Sequence, residues 1–176
     1  QDDIADKVMT MLAGAMKELK VGNPGLLSTD VGPVIDADAL KILQDHAERM
    51  DREARLIAAA ELSAETAHGT FFAPRAYELK DLGQLQKEVF GPVLHVIRWK
   101  GDQLDAVIDQ INATGYGLTL GLHSRIDETI ERITTGIAVG NVYVNRNQIG
   151  AVVGVQPFGG QGLSGTGPKA GGPHYL

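Results

Sequence analysis

The order of apolar segments between residues 93 and 145 constrains the fold more than any other feature of this sequence. Strand-like runs cover residues 93–99, 118–122 and 139–145, and apolar residues recur at helical spacing in the intervening segments 104–111 and 126–133. Strands separated by single helices are typical of parallel crossover connections. The sequence therefore predicts an α/β fold with an open, mostly parallel sheet and flanking helices.

Further elements are predicted before this segment. A first helix, with Asp3 as its expected cap, is indicated by apolar residues at helical spacing, namely Ile4, Val8, Met11, Leu12, Ala15 and Leu19. A second helix is expected to begin after Asp36 and to turn inward Leu40, Leu43, Ala47 and Met50. Strands are expected at residues 56–60 and 70–79, although the alanines leave the first ambiguous. Ser124 and Asp127 fit a capping box before the helix of residues 126–133.

Composition limits the partners that the chain is expected to have. The 176 residues carry a formal net charge of −6, which repels phosphate backbones, so we expect no direct nucleic-acid binding. No apolar run approaches the roughly 18 residues of a membrane span, and the first residues lack the basic and apolar parts of an export signal. We therefore expect one domain, without a membrane span, that works in the cytoplasm.

The segment from Asn141 to Gly172 carries a glycine at almost every third position and contains the aromatic residue Phe158. Glycine lets another group approach the backbone closely. The glycines follow the last predicted strand, and ligands of open α/β sheets collect at the carboxyl ends of strands. These features predict a ligand-binding loop, with a purely structural glycine-rich loop as the alternative.

Two other candidate sites are not favoured by their surroundings. Gly160, Gly162 and Gly165 spell G-x-G-x-x-G, a pattern that binds dinucleotides when it lies between a strand and a helix. Pro157 before it and Pro168 after it fit neither element, so we do not expect it to hold a phosphate. The five histidines show no i, i+4 pair, and the sequence contains no cysteine, so we expect no metal site.

A second functional signal is the run Glu88-Val89-Phe90-Gly91-Pro92. A carboxylate can accept hydrogen bonds from two hydroxyls of a sugar, and an aromatic ring two residues later can lie against a flat heterocycle. Residue types alone favour a different interpretation, in which Glu88 is a solvated surface acid and Phe90 belongs to the core.

Four motifs in a fixed order resemble the aldehyde dehydrogenase superfamily. They are Glu88-x-Phe90-Gly91-Pro92, Gly115-Tyr116-Gly117-Leu118, Gly140-Asn141-x-x-x-Asn145, and Pro157-Phe158-Gly159-Gly160 with Ser164-Gly165. Each motif is weak, but the ordered set covers nearly the whole chain. Residues 145–175 look like those of the L-glutamate γ-semialdehyde (pyrroline-5-carboxylate) dehydrogenases. The run Arg146-Asn147-Gln148-Ile149 most resembles the bifunctional bacterial proline utilization A flavoenzymes.

The resemblance implies roles for five residues. Glu88 matches the glutamate that holds the nicotinamide ribose hydroxyls, and Phe90 matches the aromatic residue beside that end of the cofactor. Gly150 and Ala151 match the loop whose backbone N–H groups anchor the α-carboxylate of the substrate. Successive amides in a glycine-rich turn can hold an anion without a basic side chain. Phe158 matches the aromatic residue that lines the aliphatic chain of the aldehyde.

The resemblance also implies a mechanism that residues 1–176 cannot complete alone. In the family, a cysteine thiolate attacks the aldehyde, a hydride passes from the hemithioacetal to NAD, and glutamate-activated water hydrolyses the thioester. This sequence contains no cysteine. In family order, the nucleophile, the activating glutamate and the coenzyme-binding domain precede Gln1. We therefore expect the chain to be the C-terminal part of a catalytic domain, with no catalytic residue of its own and no activity in isolation.

The implied cofactor is NAD, with FAD confined to a separate proline dehydrogenase domain if the parent enzyme is bifunctional. The implied partners are an aldehyde substrate with an α-carboxylate and the upstream remainder of the enzyme. Apolar surface meant for missing elements would favour self-association. The alternative hypothesis is a non-catalytic module whose glycine-rich loop binds a small anion or another protein.

Overall fold

The computed structural model describes residues 1–152, 154–165 and 167–175. The chain divides into two compact units, an N-terminal unit from Gln1 to Gly101 and a C-terminal unit from Asp102 to Leu176. Each unit has its own hydrophobic core. No helix in the described part of the chain is both long enough and apolar enough to cross a membrane.

The N-terminal unit contains two helices and a three-stranded sheet. The helices are α1 (Asp2–Lys17) and α2 (Ala37–Glu53), and the strands are β1 (Arg55–Ala59), β2 (Arg75–Leu79) and β3 (Val93–Ile97). Short 3-10 turns cover Ala64–Ala67 and Leu82–Gln84, and a third, Gly101–Gln103, begins at the last residue of this unit. The strand order is β1-β2-β3, with β1 antiparallel and β3 parallel to β2.

Helix α2 forms as the sequence predicts and supplies much of the core of this unit. The Asp36 side chain accepts a hydrogen bond of 2.8 Å from the Ala39 N–H, which satisfies a donor that the helix cannot pair internally. Leu43 and Met50 are fully buried on the inward face. Leu43 packs in one cluster with Ala47 and Phe72, and Met50 packs in another with Tyr77 and Leu79.

Helix α1 differs from its prediction in two respects. It already begins at Asp2, so Asp3 lies inside the first turn and the expected Asp3 cap is wrong. Its buried residues are Ala5, Met9 and Met16, whereas much of the predicted apolar face is exposed, including Ile4, Val8 and Met11. Asp residues in a first turn are still favourable, because they face the positive end of the helix dipole.

The C-terminal unit alternates helices and short strands. Its elements are α3 (Leu104–Ala113), β4 (Tyr116–Gly117), β5 (Thr119–Leu122), α4 (Asp127–Gly136), β6 (Asn141–Val144) and β7 (Gln161–Gly162). Strands β5 and β6 are parallel and are connected through α4, which confirms this predicted crossover. Ile108, Ile133 and Ile137 form the core between the two helices and these strands.

The α/β class is confirmed, but the predicted single sheet is not. In residues 1–152, 154–165 and 167–175 the strands form three separate sheets, β1-β2-β3, β4-β7 and β5-β6, and two of the four pairings are antiparallel. The expected capping box before α4 is also wrong. Ser124 Oγ instead accepts a hydrogen bond of 3.2 Å from the Ile126 N–H, which closes a local turn one residue before the helix.

Candidate functional site

The glycine-rich loop leaves the carboxyl end of β6, as the sequence predicts, and is anchored at its first residue. Asn145 has a φ of 56°, a left-handed conformation that asparagine tolerates better than most residues. Its side chain accepts a hydrogen bond of 3.0 Å from the Ser124 N–H and donates one of 2.9 Å to the Ser124 carbonyl. This paired contact fixes the direction in which the loop departs from the strand.

The far limb of the loop, around Phe158, is held from both sides. Asn141 donates a hydrogen bond of 2.9 Å to the Pro157 carbonyl and accepts one of 3.2 Å from the Gly159 N–H. Phe158 itself exchanges backbone hydrogen bonds of 3.0 and 2.8 Å with Ala170. The backbone at Phe158 is therefore pinned on each flank, and its half-buried ring is supported by a fixed main chain.

A close backbone contact locks the same limb against β6. A Cβ atom added to Gly140 would overlap the carbonyl oxygen of Gly159, so this position requires glycine because the two backbones touch. Lys169 donates from its Nζ to the Gly140 carbonyl, which adds a second tie at this point. The glycine that precedes β6 thus serves close packing.

Gly150 and Ala151 lie in the open arc of the loop. Both are half-buried, while the neighbouring Ile149 is 90% exposed. A Cβ atom added to Gly150 would meet no atom of residues 1–152, 154–165 or 167–175 within 4 Å, so these residues leave the space beside it free. Within the described part of the chain, the backbone N–H groups of Gly150 and Ala151 have no hydrogen-bond acceptor. The arc therefore offers two consecutive amides to an outside group, as an anion-binding turn requires.

Glu88 and Phe90 point outward from the N-terminal unit, while Val89 between them points inward. Glu88 is exposed, and Phe90 is 87% exposed, so the interpretation of Phe90 as a core residue is wrong. Val89 packs against the cluster formed by Leu43, Ala47 and Phe72. This alternation aims both predicted cofactor-binding side chains away from the core.

The segment that carries Glu88 borders a cavity of about 250 Å³ on the α2 side. The cavity is lined by Ile42, Asp45, His46, Arg49, Gln86, Lys87 and Val89. Arg49 donates a hydrogen bond of 3.0 Å to the Gln84 carbonyl, and a Cβ atom added to Gly91 would collide with Leu43. Helix α2 thus touches the segment on both sides of Glu88.

Sequence reasoning missed a histidine pair at this position. The Nε2 atoms of His46 on α2 and His95 on β3 lie 2.9 Å apart, and the ring planes meet at 86°. Burial lowers the pKa of His95 to about 4, helped by the adjacent His46 and by Arg49. Burial and Arg49 also lower the pKa of His46. The two residues are 49 positions apart, so no local spacing rule could have paired them.

The G-x-G-x-x-G pattern takes a structure unlike a strand-to-helix phosphate loop. Gly162 belongs to β7, which pairs with β4 over two residues, and the Gly165 N–H donates 3.0 Å to the Gly162 carbonyl. Ser164 Oγ accepts a hydrogen bond of 3.1 Å from the Gly117 N–H. The three glycines therefore shape a turn on a small antiparallel sheet.

Another cavity, of about 650 Å³, holds an internal charge network and none of the five predicted site residues. It is lined by Arg52, Glu53, Ala54, Arg55, Glu78, Leu79, Lys80 and Arg98. Glu78 accepts a hydrogen bond of 2.5 Å from Arg98 and is also paired with Arg55. Burial opposes ionisation of Glu78, but the two guanidinium groups outweigh it and lower its pKa. In the part of the chain described, no group of three or more potential metal ligands is found.

The five predicted site residues fall into two groups. Glu88 and Phe90 lie in the N-terminal unit and have exposed side chains, and Gly150, Ala151 and Phe158 lie in the C-terminal unit and are half-buried. The sequence model of the aldehyde dehydrogenase family matches residues 1–176. The chain belongs to the aldehyde dehydrogenase family. The resemblance inferred from the four motifs is therefore confirmed.

Known members of the aldehyde dehydrogenase family give a more specific comparison. The chain is 59% identical over 181 residues to the bifunctional protein PutA of Escherichia coli (strain K12), covering 100% of this chain and 14% of that protein. It is 39% identical over 177 residues to 1-pyrroline-5-carboxylate dehydrogenase of Geobacillus sp. (strain WCH70), covering 99% of this chain and 34% of the relative. A crystal structure of Bradyrhizobium japonicum proline utilization A matches with a TM-score of 0.94 at 58% identity, over 99% of this chain and 18% of that chain. The chain thus spans only a minor part of these relatives.

Proposed function

We propose that this chain is part of an NAD-dependent dehydrogenase that oxidises L-glutamate γ-semialdehyde to L-glutamate in proline catabolism. The observation that carries the proposal is that the backbone N–H groups of Gly150 and Ala151 have no acceptor among the described residues, in an open arc whose far limb is held at Phe158. The similarity to PutA and to 1-pyrroline-5-carboxylate dehydrogenases supports the same substrate.

In this proposal, the loop recognises the two ends of the aldehyde's carbon chain differently. The N–H groups of Gly150 and Ala151 donate to the α-carboxylate, which needs no basic side chain because the amides already supply partial positive charge. Phe158 packs against the methylene groups and directs the carbonyl carbon away from the loop. A substrate without the carboxylate would leave the two donors unpaired, which lowers its affinity.

Glu88 and Phe90 hold the cofactor end of the reaction in the same proposal. The Glu88 carboxylate would accept hydrogen bonds from two ribose hydroxyls of NAD, and the exposed Phe90 ring would offer its face to the nicotinamide end. NAD, when bound, accepts the hydride that leaves the substrate carbon. FAD would belong to a separate proline dehydrogenase domain of a bifunctional parent.

The reactive sulfur must come from outside residues 1–176, because these residues include no cysteine. We therefore propose that the chain is the C-terminal part of the catalytic domain of a longer enzyme, located in the cytoplasm, and that it is inactive without the remainder. The residues here bind and orient the reactants, while the nucleophile and its glutamate are supplied by the preceding segment.

Steady-state kinetics of the full-length enzyme test this assignment. We expect Gly150→Val to raise KM for the semialdehyde roughly tenfold or more and to leave KM for NAD nearly unchanged, because the added side chain fills the space beside the amides. Glu88→Ala should raise KM for NAD and leave KM for the semialdehyde nearly unchanged. Gly14→Val is the matched control, since Gly14 also has no atom within 4 Å of an added Cβ. Equal effects on both KM values for either variant would refute the roles.

A further inference from the structure

His46, which is buried, and His95, which is half-buried, are titratable side chains that the proposed reaction does not use. One ring's Nε2–H donates to the Nε2 of the other across 2.9 Å, and the ring centroids are 5.1 Å apart in an edge-to-face arrangement. His46 is 7% exposed. Because the first lies on α2 and the second on β3, their hydrogen bond joins a helix to a strand.

The pair packs among apolar side chains on one side and borders the cavity of about 250 Å³ on the other. On α2, His46 shares the buried face with Leu43 and Met50. On β3, His95 shares a face with Val93 and Ile97. Val93 packs against the clusters of Leu43 and Met50, and Ile97 packs against that of Met50. An imidazole without a partner in such a place loses the hydrogen bonds that it makes with water. Each histidine therefore satisfies the other only when α2 and β3 are in their observed register.

The segment that presents Glu88 and Phe90 is attached to both elements. On the helix side, Leu43 packs against Val89 and contacts Gly91. On the strand side, the Val93 N–H donates 2.8 Å to the Gly91 carbonyl, so the segment runs directly into β3. A displacement of α2 along β3 would turn the segment and both of its outward side chains.

We propose that His46 and His95 are positioning residues for Glu88 and Phe90. Their mutual hydrogen bond fixes α2 against β3 and thereby sets the direction in which the connecting segment presents both cofactor-binding side chains. The inference rests on the proposed function, in which Glu88 and Phe90 face NAD. Neither histidine contacts the reactants. Each acts through the connecting segment that carries Glu88 and Phe90.

The arrangement requires one ring nitrogen to remain an acceptor, which makes it sensitive to acid. When both rings are protonated, both Nε2 atoms carry hydrogen, and two like charges face each other across 2.9 Å. Other titratable and charged groups lie near the pair, namely Asp45, Arg49 and Glu53 on α2, Lys87 before β3, and Tyr77 opposite His95 on β2, where Asp51 and Arg75 act on Tyr77. His95→Leu and His95→Gln keep all of these groups and change only one histidine of the pair.

The test compares His95→Leu with His95→Gln in the full-length enzyme. Leucine fills the space without a polar atom, whereas the glutamine amide can still donate to or accept from His46 and does not titrate. At about pH 7.5 we expect His95→Leu to raise KM for NAD roughly tenfold, with kcat and KM for the semialdehyde changed less than about twofold. His95→Gln should stay within about twofold of the parent in all three. In the parent, KM for NAD should rise as the pH falls toward about 4, where His95 also protonates, and His95→Gln should reduce this rise.

Two controls accompany this test. The exposed His123→Gln should behave as the parent at every pH, and thermal unfolding should establish that each variant is folded. If His95→Leu does not fold, the pH profile of His95→Gln decides alone. An unchanged acid rise in His95→Gln, or equal increases in both KM values in His95→Leu, overturns the inference. If Glu88→Ala still raises KM for NAD, only the inference has failed; if it does not, the proposed function has failed.

Discussion

At the scale of single residues, Asn141 shows how one side chain can organise the glycine-rich loop. Its amide is matched to its surroundings, because the nitrogen faces the Pro157 carbonyl and the oxygen faces the Gly159 N–H. The two bonds enclose Phe158. The sequence motif indicated Phe158 as a site residue, but its support from a residue 17 positions earlier could not be predicted, because no local rule links a strand's first residue to a distant loop.

Substitution of Asn141 should therefore weaken binding of the aldehyde selectively. In the full-length enzyme we expect Asn141→Asp to raise KM for the semialdehyde roughly tenfold, because a carboxylate would face the Pro157 carbonyl without a hydrogen to donate. KM for NAD should change little. Asn147→Ala is the control, since Asn147 is exposed on the same loop. An equal loss in the control would show that any change in the loop has this effect.

At the scale of elements, local chemistry predicts interiors better than ends. Helix α2 follows its sequence closely, from the Asp36 cap to the buried Met50. The predicted strand of residues 70–79 begins only at Arg75, because Pro74 before it has no N–H for a ladder. The start of α1 is set by a distant contact, a hydrogen bond of 2.9 Å from the Asp2 N–H to the Trp99 carbonyl. Such a contact cannot be read from the first residues of the chain.

The interface between α2 and β3 should lose stability in mild acid. The folded-state pKa values of His46 and His95 lie below the ordinary value, so the unfolded chain binds more protons. The stabilisation is complete above about pH 6.5 and is lost as the pH falls toward about 4, where folded His95 also protonates. Given partial exposure, the loss from His95 should be on the order of 2 kcal/mol.

Urea unfolding of the 176-residue chain at several pH values measures this loss. The double variant His46→Gln/His95→Gln should show a flatter dependence of unfolding free energy on pH between about 6.5 and 4. The double variant His68→Gln/His123→Gln changes two exposed histidines and should retain the parental slope. Identical slopes in all three proteins would place the acid sensitivity elsewhere.

At the scale of the whole molecule, the class of fold could be predicted but the assembly of its strands could not. The alternation of helices and strands indicates α/β, and the β5-α4-β6 crossover follows from it. The pairing of β4 with β7 joins Tyr116 to Gly162 across 46 positions and uses two residues on each side. Pairings this short carry no hydrophobic pattern of their own, because tertiary contacts decide them.

The exposed apolar face of α1 has a consequence for the isolated chain. Ile4, Val8 and Met11 lie on one side of the helix, and Met11 is 75% exposed. Burying such a face releases water, so we expect copies of the chain to associate through it. Val8→Lys/Met11→Glu should lower the weight-average mass in sedimentation experiments, while the exposed Lys7→Glu on the same helix should not. Unchanged association in the double variant would exclude this face.

In the proposed substrate site, the touching backbones of Gly140 and Gly159 restrict where the site could adapt to a longer or shorter aldehyde. Phe158 and Gly159 cannot shift without moving the start of β6. The position of the Phe158 ring is therefore set by this strand. A pocket adapted to an aldehyde one methylene longer or shorter must therefore change in the arc from Ile149 to Val152, where no such contact is present among the described residues. Substitutions that adapt the site to an aldehyde of another length should therefore fall within residues 149–152 and not around Phe158.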